Sequence, residues 1–398
     1  MADQVTPPGA FVEDRASGVP VITGVATAIT AFVGRTPMGP AAPLHCQSFG
    51  DFQRTFGGLD MNYPLTSAVQ DFFQNGGTDA VIVRVGGQGG AIGPDDLIGH
   101  EDRRTGIYAL DGVDLFNLLC IPPDREDFSD ADLARVHRNA AAYCLKRRAM
   151  LIVDPPRQWS TAARAGKLDR IQLTDFGIGA AEARNCAVYF PRIKKLDAAA
   201  GGVEKVFAPS GAIAGVFAAT DRRQGVWKAP AGMTAAIAGI TGLELDLTDA
   251  QTGLLNPRGI NCLRTFAAGG TVIWGARTLR GADGLADDYK YVPVRRLALY
   301  VEESISRGTQ FATFEPNGPA LWSKVRSAVN AFMSTLWQQG GLFGTTADQA
   351  YFVRCDQTTV TQADLANGVL NIVVGIAPER PAEFVIVQIQ QMAGQAAP

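Results

Sequence analysis

The sequence is poor in the residues from which most active sites are built. Only three histidines occur in 398 residues, His45, His100 and His137, and none lies in a recognisable catalytic motif. The six cysteines (Cys46, Cys120, Cys144, Cys186, Cys262, Cys355) are scattered singly, without a C-x-x-C pair or a histidine at zinc-ligand spacing. Most sit inside apolar stretches, which predicts buried free thiols in a reducing compartment. An excess of one charge is also missing. Lys plus Arg number 36 against 39 Asp plus Glu, a net charge of -3, so neither a basic field for nucleic acid nor an acidic tail is present. No apolar run reaches membrane-spanning length, and the start, MADQVTPPGAFVEDR, has no basic stretch leading into an apolar one. Synthesis and folding in the cytosol without membrane insertion are the expectation. Charged residues make up only 19% of a chain with 44 glycines, which suits a subunit largely covered by neighbours.

What is present reads as alternating strands and helices. The length allows two or three domains with substantial cores. Residues 1–20, dense in Pro and Gly, predict an extended arm around Phe11 and Val12. Residues 21–34 read as strand material broken by Gly24, and 35–43 as a turn-rich connection. Phe49, Phe52 and Phe56 share helical spacing; Leu65, Ala68, Val69, Phe72 and Phe73 mark a second helix that should stop at Gly76-Gly77 in a left-handed cap. Strands follow at 80–85, 115–121, 150–153 and 187–190. Between them a helix opens at Ser129 and carries Leu133, Val136, Ala140 and Cys144 on one face. Short apolar strands alternating with helices argue for a parallel sheet covered on both sides. Residues 208–220 and a strand pair at 260–266 and 271–274 extend it. From about residue 287 the pattern changes to α+β: helices at 293–307 and 321–338, the latter with Lys324 on its polar face near Arg326, then a strand at 351–355.

Three apparent chemical motifs fail on inspection. The glycine-rich stretch 86–93 lacks the third glycine of G-x-G-x-x-G, where Ile92 stands, and no Lys-Ser/Thr follows; a connection is expected. Ser210 lacks the preceding glycine of a nucleophile elbow and reads as a helix N-cap. Asp154, at a strand's carboxyl end before Pro155-Pro156, stands where α/β enzymes place carboxylates, yet no partner is evident and capping of a loop is expected. A hydrolase-like enzyme with an unrecognised site near these two residues is the alternative function. No cofactor or metal is implied.

The chain closes with two Val/Ile-rich runs, residues 368–376 and 383–391, separated by Ala377-Pro378-Glu379-Arg380-Pro381. In the second, Val385, Val387 and Ile389 fall on one face and Phe384 and Ile386 on the other. Such a segment either closes its own sheet or adds to the sheet of a neighbour.

Several runs resemble the contractile tail sheath proteins of myophages, R-type bacteriocins and phage-tail-like injection systems. They include Ala31-Phe32-Val33-Gly34-Arg35-Thr36-Pro37-Met38-Gly39-Pro40, Gly225-Val226-Trp227-Lys228-Ala229-Pro230, Leu254-Leu255-Asn256-Pro257-Arg258-Gly259-Ile260-Asn261-Cys262, Trp274-Gly275-Ala276-Arg277-Thr278-Leu279 and Tyr291-Val292-Pro293-Val294-Arg295-Arg296. The likeness extends in consistent order from about residue 20 to 392. It implies a subtilisin-like, mostly parallel α/β domain without a catalytic triad, a C-terminal α+β domain facing an inner tube, and extended terminal arms. The corresponding divisions are 1–20, 21–280 with its core at about 100–280, 281–380 and 381–398. The resemblance further implies a non-enzymatic subunit that polymerises helically and contracts. Its partners would be itself, the tube protein, baseplate and terminal cap proteins; assembly would take place in the bacterial cytoplasm, in a particle that can be released. By the same resemblance Phe11, Val12, Phe384, Val385, Ile386, Val387 and Ile389 would pair with adjacent subunits. Lys324 and Arg326 are candidates for tube contact.

Overall fold

The computed structural model describes residues 20–86, 92–123 and 128–383. The described chain divides into two compact units. Among the described residues, the larger falls within 25–303, 341–343 and 378–383, and the smaller within 20–24, 304–340 and 344–377.

The larger unit is built on an eight-stranded sheet. Its strands are β1 (Thr30–Gly34), β2 (Leu44–Cys46), β3 (Ala80–Arg84), β4 (Leu118–Cys120), β5 (Met150–Val153), β6 (Cys186–Phe190), β10 (Asn261–Phe266) and β11 (Gly270–Trp274). The spatial order is β11-β10-β6-β5-β4-β1-β3-β2. The six inner strands run parallel, while β2 and β11 pair antiparallel at the two edges. Parallel sheets are stable when both faces are covered, which is why these strands read as continuous apolar runs. The pleat sends alternate residues to opposite layers. Phe32, Ile82, Ile152 and Tyr189 enter one core; Val33, Val83, Val153 and Val188 enter the other.

Helices α1 (Phe49–Phe56), α2 (Pro64–Gln74) and α6 (Ser210–Gln224) supply the first layer. Ser48 accepts from the Asp51 amide to start α1, and Phe49, Phe52 and Phe56 stack in series as their spacing predicts. Proline opens α2, and Gly76 just beyond its end takes φ +101°, in the positive-φ region that favours glycine, where the helix was expected to stop. Helix α6 lies unusually close to α2: a Cβ on Gly211 would stand 2.2 Å from the Ala68 carbonyl oxygen, and one on Gly215 2.4 Å from that of Phe72. The second layer includes α3 (Pro94–Ile98), α4 (Asp130–Lys146), α5 (Arg157–Arg164) and α7 (Asp249–Leu255). Ser129 caps α4, which buries Leu133, Val136, Ala140 and Cys144 as its periodicity requires. All six thiols are free and buried.

One expectation is corrected and two features were not foreseen. Among the described residues regular structure begins at Thr30, and residues 20–29 form no strand, because their Gly, Thr and Ala leave little apolar surface to pair. His45 lies on edge strand β2, where its Nδ1 meets Asp79 Oδ1 at 2.7 Å. A second sheet, β8-β7-β9, was not expected at all: β7 (Ile193–Asp197), β8 (Val203–Phe207) and β9 (Gly242–Leu243). Its strands carry Lys194, Lys195, Glu204 and Lys205, and a half-exposed antiparallel ribbon of that polarity gives no apolar run to find.

Helix α8 (Val292–Gly308) crosses from the larger unit into the smaller. The smaller unit then contains α9 (Pro319–Gln338), α10 (Ala347–Ala350), β12 (Tyr351–Arg354), α11 (Gln362–Ala366) and β13 (Val373–Ile376). Helix α9 buries Leu321, Trp322, Val325, Val329, Phe332, Met333 and Leu336. Its indoles are tied down by Trp322 Nε1 donating to Asn317 Oδ1 and Trp337 Nε1 to the Gly344 carbonyl. Only the second half of the 368–376 run forms a strand, pairing antiparallel with β12.

Candidate functional site

The two residues of the enzymatic alternative do meet. Asp154 follows β5, and Ser210 opens α6. The Ser210 amide donates to Asp154 Oδ1 at 3.0 Å and its hydroxyl to Oδ2 at 2.8 Å. Ser210 is therefore not the N-cap; Pro209 holds that position, and the Asp154 carboxylate serves the first free amide of the helix from across the chain. Both side chains are wholly buried. Burial pushes the Asp154 carboxyl up to about 6, against the Ser210 hydrogen bonds and the Arg192 charge that pull it down. No histidine bonds to either group among the described residues. His137, on α4, is buried with neither ring nitrogen partnered, and desolvation, aided by the Arg192 charge, lowers it to about 3. A nucleophile needs a path for substrate as well as a base, and Ser210, wholly buried against the Asp154 carboxylate, has no such path. The pair is a helix clamp.

Beyond the carboxyl ends of β1, β4 and β6 there is a cavity of about 580 Å³, lined in part by Arg35, Asp71, Pro122, Pro123, Arg192 and Lys195. Open α/β sheets place ligands at such points. Here the charges are largely occupied by the protein itself. Lys195 Nζ donates to Asp71 Oδ1, and Arg192 donates through Nε and Nη2 to the Pro155 carbonyl. Among the described residues no group of His, Cys, Asp and Glu is arranged to hold a metal.

The residues expected to pair with adjacent subunits are at the two ends of the sequence. Phe11, Val12, Phe384, Val385, Ile386, Val387 and Ile389 lie outside the described residues. Lys324 and Arg326 are both on α9. Lys324 is exposed, its ammonium 5.3 Å from the Phe311 ring centre, whereas Arg326 is half-buried and donates to the Cys355 carbonyl at 3.1 Å. They therefore do not form one cationic patch of equal freedom. Strands β12 and β13 make a sheet of two, so among the described residues each has an outer edge without a strand beside it. Phe352 is 48% and Val373 44% exposed on these strands. Two-stranded sheets are marginal alone, and open edges are templates for another strand. One anchoring residue escaped the sequence reading: Arg277, buried after β11, which grips Glu383 at the start of the last run. No periodicity could have joined residues 106 positions apart.

The comparisons with known proteins bear on the whole chain. A model of the phage tail sheath protein central domain matches residues 98–279, and one of the phage tail sheath C-terminal domain matches 286–392. A chain of the anti-feeding prophage helical sheath in its contracted state is 31% identical, with 98% of this chain and 100% of that one covered and a TM-score of 0.76. A chain from the contracted sheath complex of the extracellular contractile injection system PVC is 30% identical, with 98% and 99% covered and a TM-score of 0.74. The tail sheath protein of Vibrio phage KVP40 is 30% identical over 140 residues, which span 35% of this chain and only 20% of that much longer relative. With two sheath-domain models in sequence and near-complete coverage of contractile sheath chains, this protein belongs to the phage tail sheath family.

Proposed function

We propose that the chain is the repeating sheath subunit of a contractile, phage-tail-like injection machine. Subunits polymerise helically around an inner tube, start extended and drive the tube forward on contracting. Strand exchange links them: residues 384–391 and the arm around Phe11 and Val12 add to the open edges of β12–β13 in neighbouring subunits. The observation that carries this reading is that two-stranded sheet, with partly exposed apolar side chains and outer edges free among the described residues. The family likeness to contracted sheath chains supports the larger role.

The energetics suit a linkage that must survive sliding. An added strand contributes a few backbone hydrogen bonds at roughly 0.5 to 1.5 kcal/mol net each, and apolar side chains add to that. Contraction then needs only a lattice whose contracted form is more stable per subunit, since small differences multiply over many copies. Tube protein, baseplate and terminal cap are the further partners, with exposed Lys324 rather than Arg326 the better tube-facing candidate. Assembly would take place in the bacterial cytoplasm. Electron microscopy of the purified full chain should show hollow striated cylinders, and a chain ending at Glu383 should remain soluble and folded without forming them. Normal cylinders from the shortened chain would refute the strand-exchange role.

A further inference from the structure

The larger unit holds the root of the C-terminal segment through one buried fork. Arg277 is wholly buried, and its backbone is fixed to β10: the Arg277 amide donates to Asn261 Oδ1, and Asn261 Nδ2 donates to the Arg277 carbonyl, both at 2.7 Å. Its Nε and Nη2 donate to the two carboxylate oxygens of Glu383 at 2.8 and 2.6 Å. The remaining Nη1 donates to the Gly281 carbonyl at 3.0 Å and to Asp283 at 2.9 Å, and the Tyr291 hydroxyl donates to Glu383 Oε2 at 3.2 Å. A planar two-point pair of this kind defines direction as well as position. Glu383 is the last residue before the 384–391 run, and the next backbone tie upstream is the bridge of Pro378 to Leu342. Beyond that lies β13.

We infer that Arg277 and Glu383 form the mechanical root of the C-terminal segment: they set where and in which direction residues 384–391 leave the larger unit, and they take the load placed on them. The inference rests on the reading of that segment as a strand donated to a neighbour. With the fork intact, tension stops at a buried guanidinium fixed to the main sheet. Without it, tension passes along residues 378–382 to the single Pro378–Leu342 bridge and, beyond that, to β13, whose pairing with β12 would then have to resist it.

The test uses full-length chains carrying E383A or E383Q, a chain ending at Glu383, and a core variant, Leu263→Ala, as a control for general destabilisation. Folding is followed by circular dichroism, assembly by electron microscopy, and cylinder strength by the urea concentration at which light scattering is lost. The expected result is folded E383A subunits whose cylinders are at least tenfold fewer or dissociate at clearly lower urea. E383Q, which keeps an acceptor for the guanidinium, should be intermediate and decides the matter if the alanine chain fails to fold. Leu263→Ala should lower the melting temperature without that selective loss. Wild-type cylinder strength in both Glu383 variants, with assembly still abolished in the shortened chain, overturns the root and leaves strand donation standing. An equal loss in the Leu263→Ala control also overturns it. Normal cylinders from the shortened chain remove strand donation itself, and the root with it.

Discussion

If Asp154 and Ser210 form a buried helix clamp rather than an active site, Asp154 must titrate as a buried carboxyl. Its folded value of about 6 lies above the ordinary 3.8, so the folded chain binds more protons between those limits. The contribution of Asp154 to stability is then fully present below pH 3.8 and is lost as pH rises through about 6. The difference corresponds to about 3 kcal/mol. Asp154→Asn removes the titration yet keeps an acceptor for the Ser210 amide. Urea unfolding of wild type and variant, followed by far-ultraviolet circular dichroism from pH 3.5 to 7.5, should show wild type losing about 3 kcal/mol relative to Asp154→Asn. Ser210→Ala removes a hydrogen bond that lowers the Asp154 value, so its midpoint should move further up. Its own cost at neutral pH should be about 1.5 to 3 kcal/mol, as for a hydrogen bond to a charged group. A pH-independent gap between wild type and Asp154→Asn would mean that the carboxylate is solvated, and the clamp would be wrong. A hydrolytic activity abolished by Ser210→Ala would refute the same reasoning from the other side.

His137 should titrate with the opposite sign: its folded value of about 3 lies below the ordinary 6.5, so stability is full above pH 6.5 and falls by about 1.4 kcal/mol per pH unit on acidification. His137→Leu should remove that slope in the same unfolding series, and an unchanged slope would show that the imidazole is not the group responsible. Gly215→Ala places a Cβ 2.4 Å from the Phe72 carbonyl oxygen, so the chain should lose about 1 to 3 kcal/mol by denaturant unfolding. That exceeds the gain of about 1 kcal/mol that alanine brings to a helix interior. Phe352→Asp, on the half-exposed β12, should leave subunit stability within about 0.5 kcal/mol while reducing cylinder formation seen by electron microscopy. Undiminished cylinders would argue against that edge as a docking strand.

Much of the fold was legible because its signals are local. The inner strands are short Val/Ile runs, and α4 and α9 repeat their apolar residues at helical spacing, so the type and place of these elements follow from the pleat and the helical turn. The β7–β8–β9 sheet was not legible, since its alternation is masked by lysines and glutamate that stand partly in water. For the candidate assembly site, strands at β12 and β13 could be expected from the sequence, though not that only residues 373–376 of the second run would pair, and the unequal roles of Lys324 and Arg326 could not, because only packing commits one of them to Cys355.

By itself the sequence determined the alternating α/β order, the shortage of catalytic groups, the buried thiols and the resemblance to tail sheaths. Each of these depends on residue type or on spacing within one element. Tertiary structure alone decided how distant residues meet. It turned Asp154 and Ser210, 56 positions apart, into a clamp with no access for substrate. It likewise closed a buried guanidinium on Glu383 across 106 positions. Such pairs depend on where the sheet brings its strand ends and loops together, and one-dimensional periodicity carries no information about that distance.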